Sequence, residues 1–333
     1  MKSILMGGGK LFSVYTPRSI ETLVKQADLC PTPISREELL SSPEKYRDVE
    51  YIFSTWGMPK LSEEEIRTCL PSLRAVFYAA GSVQAFAREH FANGVRVFSA
   101  WGSNAVPVAE YTVAQILLAN KGFFSSCRIM TGGDHKGAKN YFRDMPGNYG
   151  ARVGIIGAGM IGKMVIRRLA DYRLETVVYD PFLSVEKAAE LGTKKVSLEE
   201  LFETSQTVSN HVANLPATVG MLNYALFSRM PETATFINTG RGAQVVEEDL
   251  IRALRECPTR TAVLDVTYPE PPLPDSPFYS LPNVFLTPHI AGSAGDEVAR
   301  MGEQMVSVFA QWQKDPEQAF DCEVTRPMLE TMA

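Results

Sequence analysis

The stretch Val153–Asp180, VGIIGAGMIGKMVIRRLADYRLETVVYD, reads as a strand, a glycine-rich turn, a helix and a second strand that ends in an acid. Gly157, Gly159 and Gly162 form the pattern G-x-G-x-x-G directly after the apolar run VGII. The first glycine permits a tight turn, the second lets the backbone approach a pyrophosphate, and the third lets helix and strand pack closely. A bare pattern of this kind is weak and can be a glycine turn without a ligand. The complete unit favours a dinucleotide-binding domain.

Asp180 indicates which dinucleotide is bound. It follows the second strand and lies near the ~20 positions at which an acid is expected to bind the ribose. A carboxylate at this position accepts a hydrogen bond from an adenine-ribose hydroxyl and repels a 2′-phosphate. No Arg or Lys occurs between Asp180 and Lys187. We therefore expect NAD rather than NADP as the cofactor.

The rest of the chain repeats the alternation of strand and helix signals. A first block covers about residues 1–100 and a second begins at Ala151. This alternation predicts an α/β protein with two doubly wound parallel sheets. A chain of 333 residues suits two domains at roughly 100–200 residues each. The final amphipathic helix, around Met301–Trp312, is assigned to the first domain. The predicted domains are therefore 1–103 with 293–333, and 104–292.

Two local predictions concern the segment between the blocks. Pro107 suits the first turn of a helix, so a helix is expected to begin there. The stretch Thr131–Gly150 is rich in glycine and poor in apolar periodicity, and it predicts a long exposed loop or arm. No strand is expected after the final amphipathic helix.

Composition narrows the class of partner. The net charge is −5 and the sequence pI is about 5.6, which argues against nucleic acid or an anionic membrane as the main partner. The five Cys form no C-x-x-C pair, so we expect no metal site, no disulfide framework and a cytoplasmic location. No apolar run approaches the ~20 residues of a membrane span.

Three residues are candidates for the chemistry. Arg241, Glu270 and His289 lie in the segments FINTGRG, LDVTYPEPP and TPHIAG, each just after an apolar run that reads as a strand. Arg can grip a carboxylate with two hydrogen bonds, and His can exchange a proton near neutral pH. Glu can hold the His in one tautomer and favour its charged form. Together they suit hydride and proton transfer on a small keto or hydroxy acid.

Each residue also has a structural interpretation. If each residue is considered by itself, Arg241 could be a surface side chain in a turn. Glu270 could be a solvent-exposed acid in a loop, and His289 could be a buried histidine with a structural role. Ligands of doubly wound folds bind at the carboxyl ends of the strands, and three such residues at strand ends favour a catalytic site. The remaining histidines, His90, His135 and His211, are expected to be structural, although His211 ends a predicted strand.

These motifs resemble the D-isomer-specific 2-hydroxyacid dehydrogenase family over nearly the whole chain, most strongly from Val153 to Gly292. The resemblance implies a Rossmann NAD-binding domain inserted into a flavodoxin-like substrate domain. It implies catalytic roles for Arg241, Glu270 and His289, and a homodimer with Thr131–Gly150 as a candidate interface arm. The implied small-molecule partner is a 2-keto or 2-hydroxy acid.

The resemblance also carries binding residues onto this sequence. The expected substrate contacts are Trp56, Ala80, Gly81 and Arg241, although Trp56 could equally be a core residue. The expected cofactor contacts are Gly157, Gly159, Met160, Ile161, Gly162, Asp180, Val212, Thr239, Arg241, Asp265, His289 and Gly292.

Two segments depart from the family pattern. After His211 the family usually has Pro-Leu-Thr, whereas this chain has Ala213-Asn214-Leu215. The substrate loop usually reads Gly-x-Gly-x-Asp, but here the first Gly and the Asp are missing from the segment AAGSV. We therefore expect altered adenine contacts and a different choice of substrate.

The expected function is NAD-dependent interconversion of a 2-keto acid and its D-2-hydroxy acid. The alternative from another class is a non-enzymatic NAD-sensing interaction protein of the same fold, since the family includes corepressors. Formate or phosphite oxidation is a weaker alternative among enzymes.

Overall fold

The computed structural model describes residues 2–331, which divide into two compact units. One unit ends at Ala105 and resumes at Ser293, and the other is Val106–Gly292. Within the described residues, no helix is long and apolar enough to cross a membrane. The strands in chain order are β1 (Ser3–Met6), β2 (Leu29–Pro33), β3 (Tyr51–Ser54), β4 (Ala75–Tyr78), β5 (Arg96–Ser99), β6 (Arg152–Ile156), β7 (Glu175–Tyr179), β8 (Lys194–Lys195), β9 (Thr207–Asn210), β10 (Thr235–Asn238), β11 (Thr261–Leu264), β12 (Val284–Leu286) and β13 (Glu323–Val324).

Helices connect most of these strands, as a doubly wound sheet requires. Short 3-10 helices occur at Pro43–Tyr46, Gly242–Gln244, Pro277–Tyr279 and Arg326–Glu330. The α-helices are α1 (Leu11–Val14), α2 (Pro17–Ala27), α3 (Arg36–Ser41), α4 (Glu63–Cys69), α5 (Ala87–Ala92), α6 (Trp101–Ala119), α7 (Phe123–Thr131), α8 (His135–Arg143), α9 (Met160–Leu169), α10 (Val185–Glu190), α11 (Leu198–Thr204), α12 (Tyr224–Phe227), α13 (Glu247–Glu256) and α14 (Glu297–Lys314).

The discontinuous unit contains a sheet of order β2-β1-β3-β4-β5-β13. Strands β1 to β5 are parallel, in the 2-1-3-4-5 order of flavodoxin-like folds. The central strands read as continuous apolar runs because helices cover both faces of the sheet. On one face the rings of Phe53 and Phe77 stack at 5.2 Å, and Phe309 of α14 meets both edge-on. The prediction of a doubly wound parallel sheet is confirmed for this unit.

The C-terminal strand β13 corrects the expectation that no strand follows the last helix. It pairs antiparallel with β5 at the edge of the sheet. Glu323 of β13 forms a two-bond ion pair with Arg96 of β5, at 2.6 and 2.7 Å. A strand of two residues is too short to show periodicity, and its position depends on this tertiary ion pair.

The continuous unit contains a parallel sheet of order β8-β7-β6-β9-β10-β11-β12. The chain runs outward from β6 through β7 to β8, then returns to the other side of β6 at β9. This is the strand order of the Rossmann fold, whose ligand crevice lies at the carboxyl ends of the strands where the order reverses. The glycine-rich loop follows β6, so it lies at this switch point.

Helix α6 differs from the sequence-based prediction. It begins at Trp101, so Pro107 lies inside the helix rather than in its first turn. A proline in a helix interior lacks the N–H that would bond to the carbonyl four residues earlier. Proline is therefore more common in the first turn of a helix, which is where the sequence predicts Pro107 to lie. Ala105 and Pro107 are both buried, so this turn of the helix is packed in the structure.

The stretch Thr131–Gly150 is not a long loop, and that prediction was wrong. Helix α8 occupies His135–Arg143. The Asp134 side chain caps it by accepting a hydrogen bond from the Gly137 amide at 2.7 Å. The hydroxyl of Tyr141 donates to the carbonyl of Thr259 at 3.1 Å, which anchors the helix. These contacts outweigh the low helix propensity of the glycines.

Candidate active site

The glycine-rich loop after β6 has a separate structural reason for each glycine. Gly157 adopts φ of 90°, and a Cβ there would lie 2.9 Å from the His211 carbonyl oxygen. A Cβ on Gly162 would lie 2.0 Å from the Gly157 carbonyl oxygen, so α9 packs tightly on the loop. A Cβ on Gly159 would meet nothing within 4 Å.

Gly159 therefore keeps open the space in front of the first turn of α9. Amide groups at a helix N-terminus, together with the helix dipole, attract a pyrophosphate. The residues present fit an NAD pyrophosphate at this position. Met160 and Ile161 form the first turn of α9, and Met160 is exposed.

Asp180 braces the same loop. Its Oδ2 accepts a hydrogen bond from the Ala158 amide at 2.7 Å. Its Oδ1 accepts bonds from the amides of Phe182 and Leu183 at 2.8 and 3.2 Å. Each carboxylate oxygen has two lone pairs, so Oδ2 can still accept a bond from a ribose hydroxyl. The contact with a ribose remains a prediction.

The backbone of Arg241 is fixed by a residue that sequence reasoning missed. Gln244 is fully buried, and its Oε1 accepts bonds from the Arg241 amide and the Asn210 side chain at 3.3 and 2.5 Å. Its Nε2 donates to the Val212 carbonyl at 2.6 Å. Gln244 thus ties the loop after β10 to the end of β9. The sequence around Gln244 does not indicate this role, because its partners Asn210 and Val212 lie at the end of a different strand.

The charge of Arg241 has no acidic partner. Its Nη1 donates to the Gly240 carbonyl at 2.8 Å, and within residues 2–331 no carboxylate lies within ion-pair distance of it. Burial lowers the pKa of this guanidinium, while the charge of Glu270 acts in the opposite direction. Arg241 is partly buried, and a cation that is withdrawn from water without an ion-pair partner gains from binding an anion. The arrangement is therefore suited to binding a substrate carboxylate.

Asp265, a predicted cofactor contact, organises the turn that carries His289. It is 2% exposed and accepts a bond from the Thr287 hydroxyl at 2.6 Å. It also accepts bonds from the amides of Ile290 and Ala291 at 2.8 and 3.0 Å. These bonds hold a turn in which His289 adopts φ of 55°, an uncommon conformation for a residue with a side chain.

The structure brings His289 and Glu270 together. Nδ1 of His289 lies 2.7 Å from Oε1 of Glu270, a hydrogen bond that fixes the tautomer with its proton on Nδ1 when the ring is neutral. No partner for Nε2 exists among the described residues, so this nitrogen is available to a ligand. The Glu–His pair and the unpaired guanidinium all belong to the continuous unit.

The remaining predicted cofactor contacts lie in the continuous unit, and three predicted substrate contacts lie in the discontinuous unit. Thr239 is buried at the end of β10, and its hydroxyl lies 3.1 Å from that of Thr112. Val212 follows β9 beside Gly157, and Gly292 closes the continuous unit. Trp56, Ala80 and Gly81 lie after β3 and β4 in the discontinuous unit.

These three residues follow the carboxyl ends of parallel strands, where ligands of such sheets bind. Trp56 is partly buried, and Nζ of Lys10 lies 5.5 Å from its ring centroid. The amides of Ala80 and Gly81 donate to no acceptor in the described part of the chain, but Ala80 is fully buried and only Gly81 is partly exposed.

His211 is a structural histidine in its bonding. Its Nε2 lies 2.9 Å from the Ser209 hydroxyl, and its Nδ1 is buried without a partner among the described residues. Burial lowers its pKa to about 3, so the ring is neutral at physiological pH. A neutral ring beside the glycine-rich loop is not a proton donor at neutral pH.

A Rossmann unit with this loop and these side chains is typical of an NAD-binding domain. The family model described as D-isomer specific 2-hydroxyacid dehydrogenase, NAD binding domain, matches residues 113–291. The chain belongs to the D-isomer-specific 2-hydroxyacid dehydrogenase family, and its cofactor is NAD. The expected family, fold class and cofactor are thereby confirmed.

The chain is similar to proteins that are named as dehydrogenases and reductases. It is 30% identical to a D-3-phosphoglycerate dehydrogenase of Archaeoglobus fulgidus, over 81% of this chain and 50% of that protein. It is 31% identical to a glyoxylate reductase of Korarchaeum cryptofilum, over 79% of each chain. The chain thus spans about half the length of the first of these relatives.

A solved structure supports the fold. The phosphoglycerate oxidoreductase from Rhizobium etli superposes with a TM-score of 0.80 at 22% identity, over 98% of this chain and 99% of that one. At this identity the likeness concerns the fold alone.

Proposed function

We propose that this protein catalyses the reversible NAD-dependent interconversion of a 2-keto acid and its D-2-hydroxy acid. The observation that carries the proposal is the guanidinium of Arg241, which is partly buried, has no ion-pair partner among the described residues and lies in the same unit as the His289–Glu270 pair. An anion site and a proton donor with its orienting acid are the groups that such a reaction requires of the protein.

Arg241 is proposed to hold the substrate carboxylate. Guanidinium and carboxylate form two parallel hydrogen bonds, which fix orientation as well as position. The resemblance to the family further implies substrate contacts at Trp56, Ala80 and Gly81. In this proposal the discontinuous unit is the substrate domain and the continuous unit is the cofactor domain.

His289 is proposed to be the acid–base group. Bound NADH supplies a hydride to the carbonyl carbon, and NAD⁺ accepts it in the reverse direction. During reduction, Nε2 of protonated His289 donates its proton to the carbonyl oxygen, which becomes the hydroxyl. Glu270 accepts the Nδ1 proton in a hydrogen bond and stabilises the imidazolium. In the oxidative direction the neutral ring takes the proton back.

A homodimer is proposed from the surface of α7 and α8. These helices pack on each other, and they expose Phe123, Met130 and Phe142, each with more than 40% of its surface accessible. Exposed large apolar side chains on neighbouring helices can contribute to an interface. Sedimentation of the full chain tests this: a monomer at micromolar concentration would reject the interface.

The experiment for the activity is oxidation of NADH against a panel of 2-keto acids. Glyoxylate, pyruvate, hydroxypyruvate, phenylpyruvate, 2-ketoisocaproate and oxaloacetate form the panel, and D-3-phosphoglycerate is tested with NAD⁺ in the oxidative direction. NADPH serves as the control cofactor. Turnover with NADH that His289→Ala abolishes supports the proposal. Tight NADH binding without turnover on any acid would oppose it.

The non-enzymatic NAD-sensing alternative is not favoured. The two relatives described above are a dehydrogenase and a reductase by name. A sensor has no need of a proton donor held by an acid, or of an anion-binding cation beside it. The Arg–Glu–His arrangement therefore supports an enzyme.

A further inference from the structure

A residue outside the three candidate catalytic groups contacts the loop that carries Glu270. Glu247 is the first residue of α13, and its Oε1 accepts a hydrogen bond from the Tyr268 amide at 2.8 Å. Tyr268 lies two positions before Glu270. One further bond within the loop, from the Thr267 hydroxyl to the Pro269 carbonyl at 2.9 Å, shapes the same segment.

The same loop is also in tight contact with the loop of Arg241. A Cβ on Gly242 would lie 2.0 Å from the carbonyl carbon of Thr267 and 2.1 Å from its oxygen. Only glycine fits at such a distance. The backbones beside Arg241 and before Glu270 therefore touch at Gly242 and Thr267.

Glu247 and Gly242 thus lie on one segment that holds residues 267–268 at two points. Gly242 provides van der Waals contact, and Glu247 provides the hydrogen bond. Between these two residues, Gln244 ties the segment to the end of β9. The Gly242–Thr267 contact and the Glu247–Tyr268 hydrogen bond therefore fix the loop that carries Glu270 against the loop that carries Arg241.

We propose that Glu247 is a positioning residue that sets the Glu270 carboxylate against Nδ1 of His289. The inference rests on the proposed function, because Glu247 acts on the reaction only through Glu270. The bond it accepts orients the loop, and loss of that bond lets the Glu270 carboxylate move away from the imidazole.

A simpler role for Glu247 would be stabilisation of α13. An acid in the first turn of a helix interacts favourably with the helix dipole. Glu248 and Asp249 occupy the same turn, and Asp249 accepts a bond from the Tyr224 amide at 3.0 Å. The helix therefore has other first-turn acids, and Glu248 offers a matched control because it is exposed and bears the same charge.

The hydrogen bond from the Tyr268 amide requires an oxygen acceptor at position 247, but it does not require that the side chain be charged. Burial raises the pKa of Glu247, and the Tyr268 amide opposes that shift only in part. A glutamine at this position keeps an oxygen that can accept from the amide. Glu247→Gln should therefore preserve the positioning, while Glu247→Ala should remove it.

Steady-state kinetics of four proteins test the role. We expect Glu247→Ala to lower kcat by roughly tenfold to a hundredfold, the scale of a 1 Å misplacement, with little change in the KM for NADH. Glu247→Gln and the control Glu248→Ala should remain close to wild type. Equal losses in Glu247→Ala and Glu248→Ala would show that only the helix is affected and would overturn the proposal.

A double-mutant cycle separates positioning from direct action. In a Glu270→Ala background, Glu247→Ala should have no further effect on kcat, because nothing remains to be positioned. The same fold loss in both backgrounds would contradict the inference.

A spectroscopic measurement tests the inference independently of turnover. The Nδ1 proton of His289, hydrogen-bonded to Glu270, should give a downfield NMR resonance that Glu270→Gln shifts or removes. We expect Glu247→Ala to shift or broaden it and Glu247→Gln to retain it. An unchanged resonance in Glu247→Ala refutes the positioning role. If the resonance changes as expected in the Glu247 variants but the wild type shows no turnover, the proposed function is rejected and the positioning role is not.

Discussion

Nδ1 of His289 lies 2.7 Å from Oε1 of Glu270, although the two side chains come from different loops and are each almost half exposed. The turn that presents His289 is held by the buried carboxylate of Asp265. The imidazole is therefore fixed by one acid through its ring and by another through its backbone. This leaves Nε2 as the nitrogen that can exchange a proton with a ligand.

The first prediction concerns this histidine. His289→Ala should lower kcat/KM by about 10²–10⁴-fold, the usual contribution of a positioned acid–base group. NADH affinity should change little, because the glycine-rich loop does not depend on the imidazole. Stopped-flow turnover and fluorescence titration with NADH measure the two effects separately.

The control for this substitution is His135→Ala on the exposed first turn of α8. It should retain wild-type turnover. A folded His289→Ala protein that had lost NADH binding would contradict the assigned role, and so would one that kept full turnover.

The second prediction concerns the anion site. Arg241→Ala should raise the KM for the keto acid by roughly a hundredfold, because hydrogen bonds to charged groups contribute about 1.5–3 kcal/mol each. Arg241→Lys should recover only part of this, since an ammonium cannot form the two parallel bonds of a guanidinium. Steady-state kinetics with varied keto acid give the comparison.

Chemical rescue sharpens the test of Arg241. Guanidinium ion in solution should partly restore turnover of Arg241→Ala and leave Arg241→Lys unaffected, because only the alanine variant has space for the ion. A KM that stays at the wild-type value in Arg241→Ala would show that the carboxylate binds elsewhere.

A third prediction uses two of the three glycines of the cofactor loop, Gly159 and Gly162. Gly159→Ala should keep the stability of the wild type, since its Cβ would meet nothing within 4 Å and its φ of −69° suits any residue. It should nevertheless weaken NADH binding, because the methyl group would occupy the space proposed for the pyrophosphate. Thermal unfolding and NADH titration test both halves.

Gly162→Ala provides the contrast. Its Cβ would lie 2.0 Å from the Gly157 carbonyl oxygen. Overpacking of this kind typically costs about 1–3 kcal/mol of unfolding free energy, so both stability and NADH binding should fall. Equal stability of the two variants would be inconsistent with the different surroundings of these glycines.

These glycines also explain why much of the fold could be predicted from sequence. The close packing at Gly162 and the positive φ of Gly157 arise within one strand–loop–helix unit, so neighbouring residues carry their signal, whereas the approach of His211 to Gly157 comes from another strand. The alternation of apolar strands and amphipathic helices likewise defined the doubly wound class. The segments bearing Arg241, Glu270 and His289 could be recognised because each follows such a strand.

The features that sequence missed depend on distant contacts. Helix α8 requires the anchoring of Tyr141 to Thr259, and β13 requires the ion pair between Glu323 and Arg96. The bracing by Gln244 joins the loops after β9 and β10. None of these partners is near in sequence, so no local pattern indicates them.

The last prediction concerns stability and pH. Burial lowers the pKa of His211 from 6.5 to about 3, because protonation would place a charge at a ring whose Nδ1 has no partner among the described residues. The folded state therefore favours the neutral ring. Its contribution to the unfolding free energy is complete above pH 6.5 and is lost progressively as the pH falls toward 3.

At about 1.36 kcal/mol for each unit of pKa difference, His211 alone should account for up to about 3 kcal/mol of the stability lost between neutral pH and pH 4. Carboxylates also lose stability in this range, so the wild type must be compared with a variant. His211→Gln cannot titrate, and its unfolding free energy should fall by correspondingly less on acidification. The exposed His135→Gln should follow the wild type. Denaturant unfolding at several pH values measures the difference, and parallel curves for wild type and His211→Gln would show that this imidazole is protonated in the folded protein without penalty.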